Sequence, residues 1–282
     1  DWILAIDCDE YVTHIDINTI LLFIQQNPKH LGILRMKNLL VSENGEKGYL
    51  SDDYPRLYHK KYYTFDFPIH EQLRSIVADE KDLPHSTFLM PMEVIHHGYA
   101  INKEEMKQKQ TRNLSLLYDA LHNHSSGLHE EYIYFQIGQS EFVLNHFEKA
   151  IEAFEKGLEN VDTVNYQYIQ EMILSLAKVY AACNQFSNAL ALLDKYASQC
   201  RTARYSFTHA NILLQSEQIL KALVMYLQTV TMKDVDTLGQ NLMICYGKII
   251  KIYNAMGETE MANMFQKKYD SCKAEAERIT LN

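Results

Sequence analysis

Apolar and polar positions divide the chain into two textures. Trp2 to Ala5, followed by Ile6, form a continuous apolar run, which predicts a strand covered on both faces and therefore central in a parallel sheet. Asp16 then precedes Ile17 to Gln26, where Ile20, Leu21 and Ile24 fall at helical spacing and Pro28 lies beyond the end. That pattern predicts a capped amphipathic helix. Gly32 to Val41 reads as a strand, followed by the polar run Glu43-Asn44-Gly45-Glu46-Lys47-Gly48 with its Asn-Gly hairpin pair. Aromatic segments over Tyr54 to Phe67 and Thr87 to His97 predict further strands. The first hundred residues therefore read as mixed α/β.

Beyond residue 100 the pattern changes to helical spacing throughout, and all five prolines precede that point. Ala150-Ile151 with Phe154, Ala189-Leu190 with Leu193, Ala222-Leu223 with Tyr226, and Ala262 with Phe265 occupy equivalent places, their alanines separated by 39, 33 and 40 residues. A small residue one turn before a large one lets two helices approach while the large side chain fills the next groove. A basic period of about 34 residues with insertions is the mark of tetratricopeptide-type repeats. A preceding helix is predicted for each pair, over Tyr132 to Val143, Ile169 to Ala182, Tyr205 to Leu214 and Leu242 to Met256. Three segments follow: an α/β part over 1–100, a linking helix and loop over 101–128, and about four helix pairs over 129–282.

Composition narrows the function classes. A formal charge of −9 argues against a binder of nucleic acid or of anionic membranes, because nothing in bulk could neutralise a phosphate backbone. Five cysteines, odd in number and without CxxC spacing, suit a reducing compartment, and a cytoplasmic location is expected. No apolar run is long enough to span a membrane. The chain has no initiator Met, and it reads as the C-terminal part of a longer polypeptide whose upstream sheet is absent.

The first apolar run leads into Asp7-Cys8-Asp9-Glu10. In an extended segment, side chains at i and i+2 point the same way, so Asp7 and Asp9 are placed to share a divalent ion that also takes phosphate oxygens. The alternative is a pair of strand-end carboxylates that cap the next turn, with Glu10 facing solvent or orienting the loop.

Five motifs in order carry a resemblance: Trp2-Ile3-Leu4 with Asp7-Cys8-Asp9-Glu10; Pro55-Arg56-Leu57-Tyr58; Ile69-His70-Glu71; Ile95-His96-His97-Gly98-Tyr99; and Lys109 with Arg112-Asn113. In these the chain resembles the C-terminal two thirds of a family 2 glycosyltransferase of GT-A fold fused to tetratricopeptide repeats, an architecture of bacterial enzymes. Cys8 departs from the small residue usual between the aspartates. The resemblance implies a partial GT-A domain followed by an all-α solenoid. It also implies an inverting transfer of sugar from a nucleotide-diphosphate donor to a saccharide, peptide or protein acceptor, with manganese or magnesium as cofactor. Asp7 and Asp9 would hold the metal, Asp9 more directly, with His96 completing the shell in preference to His97.

By the same resemblance Glu71 would be the base, with His70 beside it. Pairing of Glu71 with Arg56 or Arg74 as a structural bridge stands against that role, and Asp52 or Asp53 are competing acids. Arg56 fits a diphosphate or acceptor contact, or equally a structural ion pair. Lys109 and Arg112, one turn apart on a helix, would reach phosphate or clamp that helix. His122, His124 and His129 match no standard metal spacing and read as a solvated loop. Aromatic and Met positions of the array, such as Tyr180, Tyr226, Met243 and Tyr253, read mainly as core. The array would bind the acceptor or a second copy of the chain. Two non-enzymatic readings stand beside this one: a repeat scaffold carrying a decayed transferase, and an array that serves only for dimerisation.

Overall fold

The computed structural model describes residues 1–41, 47–66, 72–76, 87–96, 103–122, 130–159, 161, 164 and 166–280. It divides into two compact units, Asp1–Ile101 with Ala276–Asn282, and Asn102–Glu275.

The α/β unit runs β1 (Trp2–Leu4), β2 (Glu10–Ile15), α1 (Ile17–Gln26), β3 (Leu31–Val41), β4 (Lys47–His59), β5 (Tyr63–Asp66), β6 (Gln72–Ser75), β7 (Thr87–Leu89) and β8 (Met92–His96). The main sheet has the order β1-β4-β3-β8-β2, with β7 also paired to β3. Among the described residues only the β3–β7 and β3–β8 pairs are parallel. The β3–β4 ladder closes with Val41 opposite Lys47, so the two strands turn back where the Asn-Gly pair predicts it, although the turn itself lies outside the described residues. β5 and β6 form a separate antiparallel pair.

Along β3 the side chains of Leu34, Met36 and Asn38 are buried, while the alternating Ile33, Arg35 and Lys37 are partly exposed. This period of two marks a sheet with one face packed. The packed face joins Leu57, Met90, Met92 and Val94 to Ile20 of α1, with Trp2, Ile6 and Ile24 against them. Asp16 caps α1 as expected: its carboxylate accepts from the Thr19 amide at 3.1 Å and from the Thr19 hydroxyl at 2.6 Å.

The opening strand departs from expectation. β1 is not a central parallel strand but a three-residue edge strand antiparallel to β4, and Ile3 and Leu4 are 37% and 39% exposed. Its apolar run is divided, Trp2 and Ile6 packing against the core while Ile3 and Leu4 are exposed. A continuous apolar run records hydrophobicity, whereas the neighbours on either side decide whether a strand is central.

The helical unit is built from α2 (Lys103–His122), α3 (Glu130–Val143), α4 (Phe147–Leu158), α5 (Gln167–Ala182), α6 (Phe186–Tyr196), α7 (Ala203–Gln215), α8 (Ile219–Thr229), a 3-10 turn (Val235–Leu238), α9 (Gln240–Met256) and α10 (Thr259–Thr280). α2 lies along α3, burying Leu114 and Leu117, with the Ser140 hydroxyl donating to Gln110 at 2.8 Å.

The four predicted pairs are α3/α4, α5/α6, α7/α8 and α9/α10. Their small and large positions are all core: Ala150, Phe154, Ala189, Leu193, Ala222 and Tyr226 are fully enclosed, and Ala262 and Phe265 nearly so. In the first pair Tyr134, Ile137 and Gly138, then Ala150 and Phe154, follow the tetratricopeptide spacing. A Cβ added to Gly138 would lie 2.4 Å from the Phe154 ring, so hydrogen at this position is what admits the aromatic side chain.

Each pair turns on one left-handed residue: Asn145 (φ 62°), Asn184 (φ 59°), Glu217 (φ 62°) and Gly257 (φ 79°). The residue that follows donates its amide to the carbonyl five back, as in His146 to Glu141 at 2.9 Å, Gln185 to Tyr180 at 2.8 Å, Gln218 to Leu213 at 2.9 Å and Glu258 to Tyr253 at 2.9 Å. This is the Schellman closure of a helix end. The turn residues recur at the same 39, 33 and 40 intervals as the alanines, so they supply a second frame of reference for the repeats.

Candidate functional site

Of the residues singled out at the start of the chain, several do meet in the structure. The stretch after β1 is a turn, not an extended strand end: the Glu10 amide donates to the Asp7 carbonyl at 3.1 Å. Asp7 and Asp9 therefore do not act as an i, i+2 pair. The Asp7 carboxylate takes the Arg56 guanidinium at 2.8 Å, and the same Nη2 donates to Glu10 at 2.6 Å. Glu10 is the group that sequence reasoning undervalued. Its side chain is only 2% exposed, and its second oxygen accepts the Asp7 amide at 2.9 Å. Burial raises its pKa, while the Asp7 amide and the Arg56 charge act against that rise. Arg56, which the sequence also allowed as a structural ion pair, comes from β4 to meet both carboxylates.

Asp9 faces elsewhere. Its Oδ2 lies 3.2 Å from His96 Nε2, His96 Nδ1 contacts Asn38 Oδ1 at 2.9 Å, and Asn38 Nδ2 donates to Asp52 at 2.8 Å. Asp53 is held by Arg35 through two bonds of 2.8 and 3.0 Å.

Asp7, Asp9 and His96 thus fall into two separate pairs, and no group of three metal-ligating side chains exists among the described residues. A divalent ion would have to displace Arg56 from Asp7, so the arrangement does not fit a shared metal. His70 and Glu71, the expected acid–base pair, lie outside the described residues, as do His97, His124 and His129. Lys109 and Arg112 are both exposed on α2, with Arg112 on an open face beside Glu104, Lys107 and Thr111.

In the helical unit the first helices of successive pairs touch one another directly, α3 with α5 and α5 with α7. Side chains thirteen and six residues before each left-handed turn lie two helical turns apart on one face of these helices. The first set is Tyr132, Glu171, Arg204 and Ile244; the second is Gln139, Lys178, Asn211 and Lys251. Glu171 and Arg204 meet across α5 and α7 at 2.8 Å, each about a quarter exposed. At the α3 end, the Tyr132 and Tyr168 rings meet edge to face at 5.1 Å, and Tyr166 stacks on Tyr168 at 5.6 Å. Tyr168 donates to Glu131 at 3.3 Å, and burial holds its phenol well above the ordinary range. Some tyrosines of the array therefore stand on a partly open, polar face, although Tyr226 is fully enclosed in the core.

No family model and no curated protein matches the chain. Solved structures do. MamA superposes with a TM-score of 0.51 at 15% identity, over 62% of this chain and 95% of that one. YrrB, described as a tetratricopeptide-repeat protein with an unusual peptide-binding site, gives 0.45 at 16% identity over 59% and 79%. The tetratricopeptide-like repeats of a putative kinesin light chain from Podospora anserina give 0.46 at 14% over 62% and 94%.

The likeness to MamA, over a share as large as the helical unit itself, establishes a tetratricopeptide-like helical fold. The same comparisons overturn two expectations. The matched structures are repeat proteins and include no glycosyltransferase, so the resemblance to a family 2 transferase is not upheld. The metal-dependent transferase and its nucleotide-sugar donor are likewise not upheld, since the matched structures are repeat proteins. The GT-A assignment of the α/β unit finds no support among these structures.

Proposed function

We propose that this chain is a non-catalytic scaffold of tetratricopeptide type, in which the helical unit holds a protein partner through the shared face of α3, α5 and α7. The observation that carries this reading is the ordered row of polar and aromatic side chains on that face, set on a regular framework of enclosed alanines and large apolar residues. Such arrays present extended surfaces whose local chemistry varies while the frame repeats. The scaffold reading also suits the turn at Asp7 to Glu10, where the charged groups are engaged with one another. No described helix is long and apolar enough to cross a membrane. All five cysteines are free thiols, and we assign the protein to a reducing compartment such as the cytoplasm.

The test is selection of unstructured peptides from a displayed library by the whole chain, with sedimentation velocity run in parallel. Selection of peptides that compete for one site, and that lose affinity at least tenfold in Tyr166→Ala/Tyr168→Ala, supports the reading. A chain that selects nothing and sediments as a monomer would overturn it. Concentration-dependent dimerisation without peptide selection would instead support an array that binds a second copy of itself.

A further inference from the structure

The main sheet has two outer strands, and they end it differently. β2 is interrupted by a bulge between Val12 and His14 and carries exposed Thr13 and His14. A bulge and polar side chains are ordinary protections of a sheet edge. β1 has neither: Trp2-Ile3-Leu4 contains no charge and no proline, and its register with β4 is unbroken.

Among the described residues the backbone of β1 is paired on one side only. The Lys60 amide donates to the Asp1 carbonyl at 3.1 Å and the Ala5 amide to the Arg56 carbonyl at 2.9 Å, so Asp1, Ile3 and Ala5 turn their polar groups to β4. Trp2 and Leu4, in alternation, point their amides and carbonyls away from β4, where the sheet has no further described strand. Side chains show the same incompleteness. Leu4 shares a face with Trp2, which packs against the core of the α/β unit, yet Leu4 is 39% exposed, and Ile3 on the opposite face is 37% exposed. A strand laid beside β1 would cover both. Consecutive apolar residues with no polar alternation are the pattern of a strand flanked on two sides.

We propose that the outer edge of β1 binds an extended apolar segment of a partner protein by strand addition. The segment's main chain pairs with Trp2 and Leu4, and its alternate apolar side chains lie against Leu4 on one face and Ile3 on the other. Charge sets its flank. Asp1 is met by Lys60 at 2.5 Å, whereas the turn after Leu4 holds Asp7, Asp9 and Glu10 against the arginine of Arg56. A lysine or arginine of the segment therefore belongs at the Asp7 end, where Asp7 and Asp9 are both more than half exposed. A second copy of this chain is a poorer match, because antiparallel pairing about Ile3 would bring its Asp1, not a base, toward that end. The edge lies in the α/β unit, so the inference goes beyond the scaffold reading of the helical unit and does not depend on it.

The test uses the whole chain and fluorescein-labelled eight-residue peptides that hold three successive valines or isoleucines, flanked by lysine or by glutamate, followed by anisotropy. Binding of the lysine-flanked set is expected, weakening at least tenfold when the amides of its apolar residues are N-methylated, which blocks strand pairing and keeps the side chains. Leu4→Pro should cost at least tenfold as well, because it removes an amide that points away from β4 and leaves the β1–β4 ladder whole. Thermal melting checks that variant, and Ile3→Lys, which keeps the backbone edge, gives a second reading of the loss in a folded protein. Peptides bound without preference for the lysine flank, bound despite N-methylation, or bound equally by both variants would overturn the inference, as would binding of none. Dimers that Leu4→Pro returns to monomer would assign the edge to a second copy and overturn it too. None of these results bears on peptide selection by the helical unit.

Discussion

A single side chain at the turn after β1 shows how burial reassigns chemistry. Arg56 faces both Asp7 and Glu10, yet the two contacts differ: Asp7 is 61% exposed and Glu10 only 2%. Solvent screens the first pair, while removal of the second partner would strand a buried carboxylate. Arg56→Ala is therefore expected to destabilise the α/β unit by about 3 kcal/mol, measured by urea unfolding. Arg56→Ala combined with Glu10→Gln should recover much of that loss, because the uncompensated charge is gone.

His209 makes a different case. It is 7% exposed in α7, and burial lowers its pKa, opposed by Asp194 at 3.8 Å. With a folded value below the unfolded one, the unfolded chain takes the proton first as pH falls. The stability that neutral His209 confers is therefore complete above about pH 6.5 and declines below it toward the folded pKa. Urea midpoints of the wild type should fall between pH 7.5 and 5.5 by more than those of His209→Gln.

At the scale of elements, each helix pair requires one residue in the left-handed region, and three of the four positions are filled by residues known to tolerate it, Asn145, Asn184 and Gly257. Glu217 is the exception, with a φ of 62° at the turn between α7 and α8. Its side chain is exposed, so replacement removes backbone strain without opening a cavity. Glu217→Gly is expected to stabilise the helical unit by about 1 kcal/mol, seen as a higher thermal midpoint. The helices themselves were legible because alanine and a large apolar residue recur with a fixed offset, a pattern set by close packing within each pair. The turns were less legible: the left-handed residues share no one side chain, and only their positions before the second helices betray them. The capped helix after Asp16 was equally clear, since its capping oxygen lies within one turn of the amide it satisfies.

For the whole molecule, local pattern and tertiary neighbour carried different kinds of information. Helical periodicity in the array and strand alternation along β3 could be read directly, because each depends on residues close in sequence that must turn the same face to a core. The repeats, the hairpin closing Val41 on Lys47, and the capped α1 belong to that class. What only the tertiary structure decided was the company each charged or apolar group keeps. The apolar run after Trp2 became an edge strand because β4 lies on one side of it and no described strand on the other. Asp7 and Asp9 parted because Arg56 from β4 and His96 from β8 reached them separately. Those contacts join residues 49 and 87 positions apart, and their energies depend on burial and distance, which the order of residues along the chain does not specify. The sequence by itself determined the helical array and its repeat; only the tertiary structure of the α/β unit decided that Asp7 and Asp9 lie in separate ion pairs, with Arg56 and with His96.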